Sequence, residues 1–217
     1  MEVPSILQTV LFSFHKKNSV SPYSSARITR VDETNVADVL DFQPSHYVDT
    51  FRRFLQQGDV GYYAYLDGKC CHRSWLQKGP KWVAINSFVQ MKLGSNEGYI
   101  HYCETSSQAR GKSIYPSVLS RIVEENKNLD NIFICVDAEN APSIRGVEKA
   151  GFRERERVEV RRILKIPLYR VFASSSSHRE SRRSYRAFWP LVRRSLGLCR
   201  RLLAKALRPR RKTDGSA

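Results

Sequence analysis

The residues best suited to chemistry stand in one turn, Gln108-Ala109-Arg110-Gly111-Lys112-Ser113, between two stretches of regular patterning. Before it, Tyr99 to Thr105 is rich in β-formers and reads as a strand. After it, apolar residues at Ile114, Val118, Leu119, Ile122 and Val123 keep helical spacing. A loop feeding a helix N-terminus presents unpaired backbone N–H groups and the positive end of the helix dipole. That is an anion site, suited to phosphate. Arg110 and Lys112 add positive charge, and Gly111 lets a ligand approach the backbone closely. Asn131 to Val136, rich in Ile, Phe and Val, reads as the next strand.

This turn resembles the Gln/Arg-x-x-Gly-x-Gly/Ala signature of the GNAT superfamily of acyl-CoA-dependent N-acetyltransferases. Asn140-x-x-Ser143 followed by Glu148-Lys149-Ala150-Gly151-Phe152 is similar to that family's second signature. The two together, on the same alternation of elements, carry far more weight than a lone basic turn. The resemblance implies an α/β fold, a mixed central sheet of about six or seven strands flanked by about four helices. It implies acetyl-CoA as co-substrate and a small amine as acceptor. Backbone N–H groups of residues 109–113 would hold the pyrophosphate, with Gln108, Ala109, Gly111 and Ser113 shaping the turn and Arg110 and Lys112 near the other phosphates. Cys103 to Thr105 would pair with the pantetheine arm like an added strand, and Asn140 and Ser143 would lie near it.

Acyl transfer from a thioester needs a placed cofactor, a neutral amine, a stabilised oxyanion and a proton for the leaving thiolate. For the base, the resemblance points to Glu104 at the strand end; its plain alternative is a surface carboxylate or one paired with a strand neighbour. His72 is a second candidate, since histidine titrates near neutrality, though a strand histidine is often simply hydrogen-bonded. Arg73 beside it could bind an anionic acceptor. Two departures from the family pattern stand out. Ser113 and Tyr115 occupy places where relatives carry glycine, and Val147 replaces the tyrosine that often protonates the thiolate. Tyr115, another nearby tyrosine, or water would then serve as acid. The Tyr115-Pro116 pair is similar to a subgroup found in bacterial polysaccharide and envelope clusters, which implies an amino-sugar acceptor.

The other elements follow in order. Arg27 to Val31 is a short strand, and Asp32-x-x-Asn35 can cap a helix through Phe42. Pro44-Ser45 opens a helix carrying Tyr47, Phe51, Phe54 and Leu55, which Gly58-Asp59 ends. Val60 to Leu66 and Lys69 to Leu76 form a hairpin at Asp67-Gly68. Val83 to Leu93 reads as one strand, and Arg153 to Leu164 as a final strand whose many charges suggest a sheet edge.

Residues 173–217 hold 13 of the 37 basic residues and two of the 21 acidic ones, so most of the net charge of +16 sits there. Within them Tyr185, Phe188, Val192, Leu196, Cys199, Leu203 and Leu207 recur at steps of three and four, opposite a row of arginines. This is a basic amphipathic helix. It suits an anionic membrane surface through residues 182–212, packing on the domain, or nucleic acid, of which nucleic acid is least favoured because no recognition signature accompanies it. Five cysteines without CxxC or metal spacing point to a reducing compartment and to no metal site. Cys103 and Cys135 read as small buried hydrophobes. The apolar patch Ile6 to Phe14 is too short to span a bilayer and lacks a basic leader.

The expected layout is a loosely structured leader over 1–26, a GNAT domain over 27–172, a Ser-rich linker over 173–181 and a basic tail over 182–217. The expected function is acetyl-CoA-dependent N-acetyl transfer, cytoplasmic and peripheral at the inner membrane face. The alternative is an acyl-CoA-binding domain without turnover, held at an anionic surface by its tail.

Overall fold

The computed structural model describes residues 6–15, 24–163, 166–173 and 183–187. Eight strands form one sheet in the order β10-β9-β1-β8-β7-β4-β3-β2. They are β1 (Ile6–His15), β2 (Arg27–Arg30), β3 (Val60–Leu66), β4 (Lys69–Lys78), β7 (Glu97–Thr105), β8 (Asn131–Asp137), β9 (Arg153–Ile163) and β10 (Ile166–Ala173). A second sheet, ordered β11-β6-β5, comprises β5 (Lys81–Ala84), β6 (Val89–Leu93) and β11 (Tyr185–Ala187). Among the described residues the helices are α1 (His46–Gln56), α2 (Ile114–Glu125) and α3 (Ala141–Lys149), with 3-10 turns over Val36–Asp41 and Ser107–Ala109.

Side-chain alternation along the strands sorts the core into two faces. On one face, Ile132, Ile134 and Val136 of β8 and Ile100 of β7 meet Val118, Leu119 and Ile122 of α2 and Val147 of α3. The other face is covered in two blocks. Val36, Val39, Val48 and Phe51 pack on Tyr63 and Trp75 near one edge. Val83, Val89, Met91 and Leu93 of the second sheet pack on Tyr99, Phe133, Val158 and Leu11 nearer the other.

Among the described strands only β7 and β8 pair in parallel, as expected of two strands joined by a helical crossover. Their pairing stops at Ile100↔Ile134, although both strands continue. On its other side β7 carries a bulge: Arg73 pairs with Glu104 but Trp75 pairs with His101, so one residue too many lies on β7. Tyr102 takes up the difference with φ 51°, a left-handed conformation costly for a non-glycine residue. The bulge turns β7 away from β8 and opens a V between them.

Several expectations change. Residues 6–15 are no leader: β1 lies between β8 and β9, antiparallel to both, with Val10, Leu11 and Phe12 at most 1% exposed. The apolar patch Ile6 to Phe14 is this strand, its buried side chains interrupted by Gln8, Thr9 and Ser13. Strand β9 is interior, with β10 beyond it. Its charges are tolerated there because they pair: Arg157 with Glu154 at 2.7 Å, Arg161 with Glu159, and Tyr185 with Glu156. The segment Val83 to Leu93 is a hairpin, turned at Asn86, whose Oδ1 accepts the N–H groups of Phe88 and Val89, both at 2.9 Å. Tyr185 lies in a strand on β6 rather than on a helix. The rest of the tail helix, residues 188–217, and the linker over 174–181 fall outside the described residues.

Candidate active site

The turn over residues 108–113 has the open backbone geometry its small and glycine residues predict. Ala109 N–H donates to Ser106 O at 3.0 Å and Arg110 N–H to Ser107 O at 3.5 Å, while the first helical rung is Ser117 N–H to Ser113 O at 3.2 Å. The N–H groups of residues 111–115 lie between these and have no backbone partner among the described residues, the usual state of a helix start. Gly111 sits at φ 78°, and a Cβ built there would meet nothing within 4 Å, so the turn faces open space. Ser113, at φ 55°, caps α2 without a side-chain bond to its backbone; its Oγ accepts from Lys149 Nζ at 3.3 Å instead.

A cleft of about 920 Å3 runs from this turn along the start of α2 to α3. Thr105, Arg110, Gly111 and Ser113 line one wall; Asn140, Ser143, Arg145 and Lys149 line the other. Arg110, Arg145 and Lys149 are exposed, cationic and close to the free amides. This donor set fits a polyphosphate.

Of the residues expected to bind cofactor, Cys103, Thr105, Ala109, Arg110, Gly111, Ser113, Asn140 and Ser143 come together here. Gln108 and Lys112 are exposed beside the turn and do not line the cleft. Ala109 is 3% exposed and anchors the turn to the core. Asn140 also caps α3, its Oδ1 accepting Ser143 N–H at 3.1 Å. Sequence reading missed Arg145 and Lys149; their spacing from Pro142 along α3 is helical and was the available signal.

On the opposite face a second cleft of about 570 Å3 lies between α1 and the β5–β6 hairpin. Phe54 comes from α1, Trp82, Ile85 and Asn86 from the hairpin, and Tyr99, His101 and Tyr102 from β7. The two clefts share Cys103, Tyr115, Asn140 and Ser143, the residues at the mouth of the parted strands. A molecule threaded through the V would therefore reach from one cleft into the other. The hairpin wall and His101 were not singled out in the sequence, because nothing local places β5–β6 over β7.

The three candidate catalytic residues fare differently. His72 is fully buried, with Nδ1 2.7 Å from Thr105 Oγ1 and Nε2 2.8 Å from Ser74 Oγ. Burial and the neighbouring Arg73 charge push its pKa down to about 3. It borders the larger cleft rather than the smaller one. Glu104 is 2.8 Å from Arg73 Nη2. Arg73 is itself 3% exposed, donates to Tyr102 O at 2.6 Å and stacks over Tyr47 at 4.5 Å. Arg73 thus clamps the bulge instead of facing an acceptor. Tyr115 stands where the clefts meet, its ring 5.7 Å from His72. Burial, then the Cys103 thiol beside it, raise its phenol well above the ordinary value, so it remains an O–H donor. The Cys103 thiol, pushed up to about 11 by burial, stays protonated too.

No protein-family model matches the sequence, and a search of curated proteins returns no match. Solved structures do match. A GNAT-family acetyltransferase from Colwellia psychrerythraea is 9% identical with a TM-score of 0.53, over 69% of this chain and 54% of that one. A Novosphingobium aromaticivorans protein assigned to the GNAT family is 17% identical with a TM-score of 0.51, over 72% of this chain and 64% of that one. The fold is the GNAT fold. The chain spans 54% and 64% of the length of these two proteins, and identities this low speak for architecture alone. Among the described residues no helix is long and apolar enough to cross a membrane, and no cluster of His, Cys, Asp and Glu could hold a metal ion.

Proposed function

We propose that the protein is an acetyl-CoA-dependent N-acetyltransferase. The observation that carries this reading is the meeting of two clefts at a parted parallel strand pair, one cleft edged by free helix-start amides and the other by aromatic side chains. The turn amides of 111–115 with Arg110, Arg145 and Lys149 suit the phosphates of the co-substrate. The unpaired edge of β7 at Cys103 to Thr105 suits its amide-bearing arm, which would thread the V as an added strand. The thioester then lies near Cys103 and Tyr115, within reach of the aromatic cleft. Tyr115 presents its O–H to the leaving sulfur, the role that Val147, fully buried in the core, does not fill.

The acceptor enters from the cleft between α1 and the β5–β6 hairpin. No lysine or arginine lines that cleft, whereas Phe54, Trp82, Tyr99 and Tyr102 do. Such walls support an amine on a ring-shaped body without a carboxylate, which an amino sugar of a surface polysaccharide or its precursor provides by stacking on aromatic faces. Residues 182–212 are proposed to hold the enzyme at an anionic membrane surface.

Release of thiol from acetyl-CoA is measured across a panel of aliphatic amines and amino sugars. Release with at least one acceptor is the expected result. Thermal stabilisation by acetyl-CoA with no release from any acceptor would overturn turnover and favour the non-catalytic binder. For the surface, the full chain should sediment with phosphatidylserine vesicles at low salt; failure to do so removes the membrane proposal.

A further inference from the structure

Acetyl transfer requires a group that takes a proton from the attacking nitrogen, and the two side chains nearest the end of β7 are engaged elsewhere. Glu104 is held by Arg73, and both ring nitrogens of His72 are bonded to hydroxyls. His101 differs. It lies on β7 two residues before Cys103, on the same face as Tyr99, and it lines the aromatic cleft. Behind it stands Asp59, whose carboxylate is fully buried.

The surroundings select one tautomer of this imidazole. Nε2 is buried and lies 3.3 Å from Asp59 Oδ2, at ion-pair range though off the line of a strong hydrogen bond. A carboxylate at Nε2 favours the proton on that nitrogen and leaves the lone pair on Nδ1. Nδ1 has no hydrogen-bond partner among the described residues. Asp59 is fixed from other sides, by Gln77 Nε2 at 3.0 Å and Lys81 Nζ at 3.3 Å. Burial alone would raise its pKa; the neighbouring His101 imidazole, the Gln77 hydrogen bond and the Lys81 charge outweigh that and hold it ionised. The imidazole is gripped by rings: Tyr99 stacks at 6.3 Å, Phe54 of α1 lies at 5.1 Å and Tyr102 at 5.5 Å. The titratable and charged groups facing it are therefore Asp59 after α1, Lys81 of β5, and Tyr99 and Tyr102 of β7.

We propose that His101 is the general base of acetyl transfer and Asp59 its positioning residue. The inference rests on the acetyltransferase reading above. His101 Nδ1 takes a proton from the acceptor's ammonium form, freeing the nitrogen lone pair. That lone pair forms the new C–N bond at the thioester carbonyl, and the C–S bond breaks with its electron pair on sulfur. The amide nitrogen loses its second proton to solvent, the thiolate is received by the Tyr115 O–H, and the imidazolium is stabilised by Asp59 until it returns its proton to water.

The test compares wild type, His101→Gln and Asp59→Asn with the best aliphatic amine of the panel and with methoxyamine, a weak base already neutral at the assay pH. Melting temperature and acetyl-CoA affinity are recorded for each. For His101→Gln, kcat/KM toward the aliphatic amine should fall about 100-fold or more, with acetyl-CoA binding unchanged. The acid limb of the pH profile should vanish, and the loss toward methoxyamine should stay below about 10-fold. Asp59→Asn should shift that limb and lower the rate less than His101→Gln does. If His101→Gln does not fold, His101→Phe keeps the ring packing and is read the same way. An active wild type whose folded His101 variants keep its rate and pH profile would overturn the base assignment alone. Equal losses toward both amines would overturn it too, pointing to packing. A wild type inert toward every acceptor would overturn the acetyltransferase reading and the base with it.

Discussion

Single side chains carry the most direct consequences. His72 is neutral in the fold, since burial and Arg73 lower its pKa from 6.5 to about 3. As pH falls below about 6.5 the unfolded chain binds a proton at this residue and the native chain does not. Native stability therefore drops between that pH and about 3, by about 1.4 kcal/mol per unit for this one group. In urea titrations at pH 7.5 and 5.0, His72→Gln should show a smaller loss than wild type; an unchanged slope would mean the histidine is not the sensor. The turn offers a second residue-scale outcome. Arg110→Glu places a negative charge beside the free amides and should weaken acetyl-CoA binding by about 1–3 kcal/mol, measured by calorimetry. Unaltered affinity would remove the phosphates from this turn. The Arg110 reading starts from residue type and was legible in the sequence; the burial that keeps His72 neutral was not, since residue type alone suggests a histidine titrating near neutrality. For Glu104 the sequence left a base and a carboxylate paired with a strand neighbour side by side; the second holds, and that the neighbour is Arg73 depends on the register of β4 against β7.

Elements decide whether those side chains meet. Helices α2 and α3 approach closely because residue 146 is glycine: a Cβ there would stand 2.7 Å from the Tyr115 ring. Gly146→Val should push Tyr115 out of the mouth between the clefts and destabilise the fold by about 1–3 kcal/mol. The expected signature is a kcat loss larger than the loss in acetyl-CoA affinity; a wild-type kcat would detach Tyr115 from the chemistry. The bulge on β7 belongs to this scale too. Its strained Tyr102 is held by the buried Arg73 guanidinium, so the arginine maintains the V. Apolar spacing of 3.6 made α2 legible, and β-forming composition made β7 and β8 legible. The 3-10 turn at Val36–Asp41 and the β5–β6 hairpin were read less well, since short segments carry too few repeats to separate strand, helix and turn.

The whole molecule is closed by segments far apart in sequence. Strand β1 fills the position between β8 and β9, so both would become bare edges without it. A chain starting at residue 27 should lose its cooperative melting transition and aggregate; a folded, monomeric product would show that β1 is dispensable. At the other end, Arg183 forks onto Glu97, 2.9 Å from Nη1 to Oε2, and lies 3.8 Å over the Phe133 ring. Arg186 stacks over Trp82 at 4.2 Å, so β11 supports the wall of the aromatic cleft. A chain ending at Ala187 should melt several degrees above one ending at Ala173. Equal melting temperatures would make β11 an ornament of the surface.

Local chemistry is what could be read along the chain: a turn of small and basic residues before a helix, a second signature at Asn140 to Phe152, and the order of the elements between them. These rest on neighbours within a few residues, where propensity and hydrogen-bonding capacity act directly. Which strand fills the middle of the sheet, which carboxylate a buried arginine takes, and which histidine faces the aromatic cleft rest on contacts between distant segments. Gln8, Thr9 and Ser13 interrupt the apolar patch of β1, and only burial of Val10 and Phe12 on one face and Leu11 on the other gives it its place. His101 and Asp59 are separated in sequence by the β3–β4 and β5–β6 hairpins, and packing of α1 and β5 against β7 joins them at 3.3 Å.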